Sequence, residues 1–129
     1  MKVLDSDFLI SILNGNKEAK EKIAELLSGK EEITTTVLNM QEILFIPLNE
    51  KRIKEFNIAI ELINNFKVLS YDFDSVFYTL NVEQALRKNG GFIGDFDQII
   101  AGICLRHNAT IVTRNIKHFS RIEGLNISD

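Results

Sequence analysis

The chain has 129 residues, of which 45% are hydrophobic and 26% charged, and its formal net charge is −3. This length predicts one domain over residues 1–129 with a sizeable buried core, and no run approaches the roughly 20 apolar residues of a membrane span. Because charged residues appear before any long apolar run, we expect no secretory leader and a soluble, cytoplasmic protein. The net charge neither indicates nor excludes a nucleic-acid partner, since a local basic patch can contact phosphates.

Strands and helices alternate from the start of the chain. Residues 1–4 predict a minimal strand that ends at Asp5, and Ser6 can cap the helix that follows. A charged amphipathic helix over 17–28 comes next, and then a second short strand over 32–35. Because no tight hairpin joins the two strands, this order predicts a parallel pair.

Two further helices are predicted around a proline. Thr36 caps the first of them, and Pro47 is expected to end it. Glu42 lies about two turns into this helix, where most neighbours are apolar. Asn49 is expected to cap a longer helix that leads to a third strand at 67–71.

The next two helices are separated by a clear break. Asp72 or Asp74 caps a helix that runs to Lys88, and Asn89, Gly90 and Gly91 end it. Asp95 is expected to cap the following helix, so that this helix begins with two carboxylates in its first turn.

The last strands complete a predicted α/β fold. ATIVT at 109–113 suits a buried parallel strand, and LNIS at 125–128 suits an edge strand. The whole order predicts a three-layer sandwich, with a central, mostly parallel sheet of about five strands covered by helices on both faces. Ligands bind outside the carboxyl ends of strands in such sheets, so the polar turn at 114–118 is where a site is expected. Cys104, the single cysteine, lies on an apolar helix face and is expected in the core.

Three carboxylates are placed so that they could meet at one edge of this sheet. Asp5 follows the first strand, Glu42 lies on the helix after the second, and Asp97 opens the helix that leads to the fourth. Asn115 follows that fourth strand and could join them. Such carboxylates repel one another by roughly 4 kcal/mol per pair at an effective dielectric near 20, and a cation would remove the repulsion. Oxygen ligands without thiolates or paired histidines favour Mg²⁺ or Mn²⁺, ions that catalyse phosphoryl transfer.

Each acidic residue also has a purely structural interpretation. Asp5 can cap the first helix, and Glu42 can be a solvated helix position. Asp97 can stabilise the positive end of its helix by about 0.3–1 kcal/mol. The hypothesis of a site therefore depends on the combination of residues.

The combination resembles the PIN-domain ribonucleases, and most closely the VapC toxins of VapBC toxin–antitoxin pairs. The resemblance rests on LDSDFLI at the start, a threonine-rich strand before Glu42, IGDFDQIIAGICLRHNATIVTRNIKHF and a closing GLNI. Asp5, Glu42 and Asp97 match the acidic residues of that family. The resemblance implies a PIN-like fold, a homodimer, a VapB-like antitoxin as partner, and Mg²⁺- or Mn²⁺-dependent cleavage of single-stranded RNA by two-metal-type hydrolysis.

Three residues depart from the family pattern. Asn115 stands where the family often has aspartate, and we expect a neutral amide to hold a second metal less tightly. Asn39 stands where many relatives have serine or threonine, and we expect it to tune positioning. Asp7 replaces a small polar residue and could add an acceptor behind the metal ligands.

The resemblance also suggests a role for each site residue. Asp5 and Asp97 are expected to ligate the principal metal, Glu42 to ligate it or orient the attacking water, and Asn115 to support the metal shell. RNA phosphates are expected to contact a basic cluster that consists of Arg114, Lys117, His118 and Arg121. The alternative interpretation of these residues is that they are solvated surface charges.

Two other functions are compatible with the sequence. Aspartates directly after a strand also suggest a haloacid-dehalogenase-like phosphatase, although the later strand is followed by Arg114 and Asn115 and not by paired aspartates. A non-catalytic PIN-like module that binds RNA or a partner is favoured by Asn115 and disfavoured by the three acids. Homodimer contacts are expected around Phe45, Leu48 and Ile53.

Overall fold

Five short strands and seven helices alternate along the chain in the computed structural model, which describes residues 1–129. The strands are β1 (Lys2–Leu4), β2 (Ile33–Thr36), β3 (Lys67–Leu69), β4 (Thr110–Val112) and β5 (Asn126–Ser128). The helices are α1 (Ser6–Leu13), α2 (Lys17–Ser28), α3 (Val37–Asn49), α4 (Ile53–Ile63), α5 (Phe73–Lys88), α6 (Asp95–Arg106) and α7 (Ile116–Phe119). None of these helices combines the length and apolar character needed to cross a membrane.

The strands form one sheet in the order β3-β2-β1-β4-β5, and all four pairings are parallel. In β1, Val3 is paired with Thr34 on one side and Ile111 on the other. The predicted parallel sheet of about five strands is therefore confirmed, with β5 at the edge as expected. Because β1 lies between β2 and β4, the strand order reverses at β1, and ligands of such sheets bind beyond the carboxyl ends of the strands at this point.

The sheet separates two apolar cores, one on each face. Val3 and Ile111 belong to a core shared with α5 and α6, whereas Leu4 and Val112 belong to a core shared with α1 to α4. Neighbouring residues of a strand enter different cores because successive side chains point to opposite faces. The predicted three-layer arrangement is confirmed, and Cys104 is fully buried in the first core.

Helix α3 does not end at Pro47, as the sequence predicted, but continues to Asn49. Pro47 cannot donate the helical hydrogen bond to the carbonyl four residues earlier, and the helix runs only two residues beyond it. The chain turns instead at Lys51, whose φ is 57°, and the Arg52 N–H donates to the Pro47 carbonyl at 2.8 Å. Asn49 therefore caps no helix, and α4 begins at Ile53.

Helix α6 is capped by Gly94, so the capping role predicted for Asp95 is wrong. Gly94 has a φ of 120°, a conformation that favours glycine, and its carbonyl accepts from the Gln98 N–H at 3.1 Å. Asp95 is the first helical residue and is exposed. The caps predicted at Thr36 and Asp72 are confirmed, since each side chain accepts a backbone N–H three residues later.

Candidate active site

Asp5 occupies the carboxyl end of β1, where the strand order reverses. Its side chain is only 6% exposed and makes no hydrogen bond that caps α1. The Asn39 amide donates to Asp5 Oδ1 at 2.9 Å, and the Thr113 hydroxyl donates to Asp5 Oδ2 at 2.7 Å. Side chains from α3 and the end of β4 thus hold this carboxylate in place.

Burial strongly perturbs this carboxyl group. Burial raises the pKa of Asp5 from 3.8 to about 7, and the negative charges of Asp7 and Asp97 also raise it. The hydrogen bond from Thr113 lowers the pKa but does not offset burial. The ionised form of Asp5 therefore lacks sufficient compensating charge within the protein, and a bound cation would supply it.

Glu42 projects from α3 towards the start of α1. The Ser6 hydroxyl donates to Glu42 Oε1 at 2.7 Å, so the capping role predicted for Ser6 is wrong. Burial raises the pKa of Glu42, and the charges of Asp97 and Asp7 raise it further, while the bond from Ser6 lowers it. Glu42 is half-buried, so its side chain is partly accessible to solvent.

Asp97 lies in the first turn of α6 and faces the short helix α7. Its Oδ2 is 3.3 Å from His118 Nδ1, and the Asn115 amide nitrogen is 2.9 Å from the same ring nitrogen. The Asn115 N–H donates to the hydroxyl of Thr113, the residue that also donates to Asp5. The structure therefore brings Asp5, Asp97 and Asn115 to the same edge of the sheet, next to Glu42.

Asp7 is a fourth carboxylate beside this group. Its Oδ2 accepts from the Arg114 backbone N–H at 3.1 Å, which ties the turn after β4 to α1. Its Oδ1 is buried and has no hydrogen-bond partner. The sequence offered Asp7 only as a possible acceptor, because nothing in the spacing shows that the turn after β4 folds onto it.

The structure does not place the four predicted phosphate-binding residues together. Lys117 is exposed, and Arg114 is exposed with its guanidinium 3.3 Å from Asn16 Oδ1. His118 faces Asp97, as described above. Arg121 packs against Gly91 so closely that any side chain at Gly91 would collide with the guanidinium. Its guanidinium thus contacts the loop before α6.

The donor set fits a hard divalent cation. Asp5, Glu42 and Asp97 offer carboxylate oxygens, and no lysine or arginine forms a salt bridge with any of them. No group of three or more His, Cys, Asp or Glu side chains is close enough to hold a metal ion unaided. Mg²⁺ is commonly bound by one or two carboxylates, with waters and substrate phosphates as its other ligands. The arrangement therefore fits a cation shared with a phosphate better than a closed protein cage.

An apolar groove begins beside Glu42. It lies between α1, α3 and α4 and encloses about 230 Å³. Arg52 and Glu55 supply charge at its margin. Its apolar lining consists mainly of Ile10, Leu13, Ile43, Ile46, Pro47 and Ile58.

The family model of the PIN domain matches residues 2–125. The chain belongs to the PIN-domain family. Over 77 residues, 58% of each chain, it is 34% identical to the tRNA(fMet)-specific endonuclease VapC of Salmonella typhimurium. A protein of the same name from Shigella flexneri is 27% identical over 129 residues, 98% of this chain and 96% of that one. These comparisons confirm the resemblance to PIN-domain VapC proteins.

The PIN fold is also confirmed by a solved structure. The crystal structure of VapBC2 from Rickettsia felis, bound to a DNA fragment from its promoter, has a chain that matches with a TM-score of 0.89 and 23% identity. The match covers 98% of this chain and 96% of that chain.

Proposed function

We propose that this PIN domain is a metal-dependent endoribonuclease that cleaves single-stranded RNA. The observation that carries the proposal is the placement of Asp5, Glu42 and Asp97 around the end of β1, with no lysine or arginine paired with any of them. The names of its relatives, VapC endonucleases, support RNA as the substrate. We also propose that the protein acts in the cytoplasm, where such an RNA substrate would be found.

Asp5 and Asp97 would hold Mg²⁺ or Mn²⁺, and Glu42 would orient the attacking water. A bound cation activates water and neutralises the charge that develops on the phosphate. Asp5 is held by two side-chain hydrogen bonds, whereas Glu42 receives one, at Oε1, and its Oε2 accepts none from the protein. Asn115 contributes no charge, so a second ion in two-metal hydrolysis would depend more on oxygens of the RNA phosphate.

Arg114 and Lys117 are the cations best placed to contact phosphates flanking the cut. Arg114 lies in the turn after β4 and Lys117 lies on α7, and both are exposed and form no salt bridge. Basic side chains of this kind position the nucleic-acid backbone without reading its sequence. The role of His118 would differ, because its ring contacts Asp97 and so orients a metal ligand.

The decisive experiment is cleavage of an end-labelled single-stranded RNA with Mn²⁺, with Mg²⁺ and with chelator. Wild type is compared with Asp97→Asn and with Asp95→Asn, a matched control on the same helical turn whose side chain is exposed. We expect metal-dependent cleavage by wild type and Asp95→Asn, and none by Asp97→Asn. If Asp97→Asn still cleaves the RNA, the proposed site is rejected. If wild type cleaves none of several RNAs with any of the metals, a binding-only module is favoured.

We further propose that the protein is the toxin of a toxin–antitoxin pair. The groove between α1, α3 and α4 begins at Glu42, so a VapB-like segment lying in it would reach the acidic residues. A small adjacent reading frame encoding a DNA-binding protein would support this pairing. Its product should inhibit RNA cleavage by wild type but not by Ile46→Glu, a groove variant. Leu27→Glu, which changes an exposed leucine on α2, should remain inhibited.

A homodimer is the quaternary structure that we propose. Two exposed apolar surfaces are available: the predicted one at Phe45, Leu48 and Ile53, and one on α5 that includes the edge-to-face rings of Phe73 and Phe77. The first adjoins the groove proposed for the antitoxin, which leaves α5 for a second copy. Sedimentation of Phe73→Ser should give a monomer, and that of Phe45→Ser a dimer.

A further inference from the structure

Asn39 connects two of the three carboxylates, although it carries no charge itself. Its side chain is fully buried on α3. The Nδ2 atom donates to Asp5 Oδ1 and to Ser6 Oγ, each at 2.9 Å. The Ser6 hydroxyl donates in turn to Glu42 Oε1 at 2.7 Å. A change at Asn39 would therefore act on Asp5 directly and on Glu42 through one intervening hydroxyl.

Thr36 on one side and Asp5 on the other determine which way the Asn39 amide points. The Thr36 hydroxyl accepts the backbone N–H of Asn39 at 3.2 Å and donates its own proton to Asn39 Oδ1 at 2.7 Å. The opposite orientation would place Oδ1 against the acceptor oxygens of Asp5. The amide group is thus fixed with both N–H bonds directed at the acidic site.

The number of hydrogen bonds that residue 39 can donate decides whether it can hold both Asp5 and Ser6. A primary amide donates two hydrogen bonds, and here both are used. Because the Ser6 oxygen already accepts from Asn39, its hydroxyl proton is directed to Glu42. A serine or threonine at residue 39 has one hydroxyl proton and could donate to Asp5 or to Ser6, but not to both.

We infer that Asn39 is a positioning residue that fixes Asp5 and Glu42 relative to each other before a cation binds. The inference rests on the proposed function, because it concerns the same metal site. Neutral partners that orient metal ligands contribute to metal affinity without touching the ion. Asn39 provides such orientation for carboxylates on two different elements, the end of β1 and α3.

Calorimetric titration of the purified protein with Mn²⁺ alone tests this role, without RNA or turnover. The variants are Asn39→Leu, which removes both donors at similar volume, and Asn39→Thr, which keeps one. Ser75→Ala is the matched control, since Ser75 is also a buried polar residue but contacts Asp72 at the start of α5. We expect Asn39→Leu to weaken Mn²⁺ binding by about ten- to a hundredfold, with Asn39→Thr in between and Ser75→Ala unchanged.

A second comparison separates positioning from general destabilisation. Ser6→Ala removes the hydroxyl that joins Asn39 to Glu42 but leaves the hydrogen bond from Asn39 to Asp5 in place. Its effect on Mn²⁺ affinity should therefore be smaller than that of Asn39→Leu. The double variant should weaken Mn²⁺ binding by less than the product of the two separate fold-changes, because both substitutions break the same chain of hydrogen bonds. Thermal unfolding of the metal-depleted variants establishes that each is folded.

The outcomes distinguish this inference from the proposed function. If Asn39→Leu is folded and binds Mn²⁺ as tightly as wild type, the inference alone is overturned. If Asn39→Leu does not fold, the inference is overturned when Asn39→Thr binds Mn²⁺ as tightly as wild type. If wild type binds no Mn²⁺ without RNA, the inference is overturned, while the proposed function still stands or falls by the cleavage assay, because an RNA phosphate can supply the missing ligands. If Asp97→Asn binds Mn²⁺ as well as wild type, the proposed function and the inference fail together.

Discussion

Replacing Asp5 with asparagine should stabilise the protein at pH 8 when divalent cations are removed. Above its pKa of about 7, Asp5 is ionised although its side chain is almost completely buried. Asparagine has nearly the same shape but no charge. Its amide oxygen can still accept from Asn39, and its amide nitrogen can donate to the Thr113 hydroxyl after that hydroxyl rotates. The variant therefore keeps the packing and loses the cost of the buried charge.

The magnitude follows from the shift in the pKa. A rise from 3.8 to about 7 corresponds to about 4 kcal/mol of destabilisation once Asp5 is ionised, at about 1.4 kcal/mol per tenfold change in acidity. Between these two values the folded protein binds more protons than the unfolded chain. The free energy of unfolding should thus fall as pH rises from about 4 to about 7 and level off above, since stability falls with pH wherever the folded state holds the extra proton.

Urea unfolding followed by circular dichroism at pH 5, 6, 7 and 8, with chelator present, measures both effects. We expect Asp5→Asn to be more stable than wild type by about 2–4 kcal/mol at pH 8 and to show a smaller slope with pH, the remainder coming from Glu42. Asp95→Asn, an exposed control, should follow wild type. A wild type as stable at pH 8 as at pH 5, or an Asp5→Asn protein less stable at pH 8, would refute the reasoning.

Three further predictions concern the surroundings of the site. Lys117→Ala should reduce the steepness of log affinity for single-stranded RNA against log salt by about 0.7, whereas Arg121→Ala should leave this slope unchanged. The same slope in both variants would contradict the different placement of the two residues. Thr36→Ala removes the cap of α3 and the partner of Asn39 Oδ1, so urea unfolding should show a loss of about 1–2 kcal/mol, and an unchanged midpoint would exclude this contribution. Burial raises the pKa of the Cys104 thiol, which should react with a thiol reagent only after unfolding; rapid labelling of the native protein would contradict its burial.

The elements of the site could be predicted because each follows a local pattern. Asp5 comes directly after one short strand, Asn115 lies in the turn after another, and Asp97 lies in the first turn of a strongly apolar helix. Parallel strands align their carboxyl ends, so residues more than a hundred positions apart reach the same edge. The pattern of strands and helices was therefore sufficient to place the acids near one another.

The hydrogen bonds among these residues could not be predicted from local pattern. Ser6 has the sequence context of a helix cap, yet its hydroxyl donates to Glu42 because α3 packs across α1. Arg121 is close in sequence to Lys117, but one turn of α7 directs it towards Gly91. In both cases tertiary packing selects one of several partners that the sequence allows.

The choice of partners also argues that the acidic cluster is functional. A structural carboxylate in a core is normally neutralised by lysine or arginine, because an unpaired buried charge costs several kcal/mol. Asp5 instead accepts hydrogen bonds from neutral groups, the Asn39 amide and the Thr113 hydroxyl, which orient it and leave its charge in place. Protonation of this side chain, its substitution with asparagine, or a bound cation would each remove the cost of its buried charge. Only the last of these keeps the negative oxygens that phosphodiester hydrolysis requires, which gives the fold a physical reason to tolerate their cost.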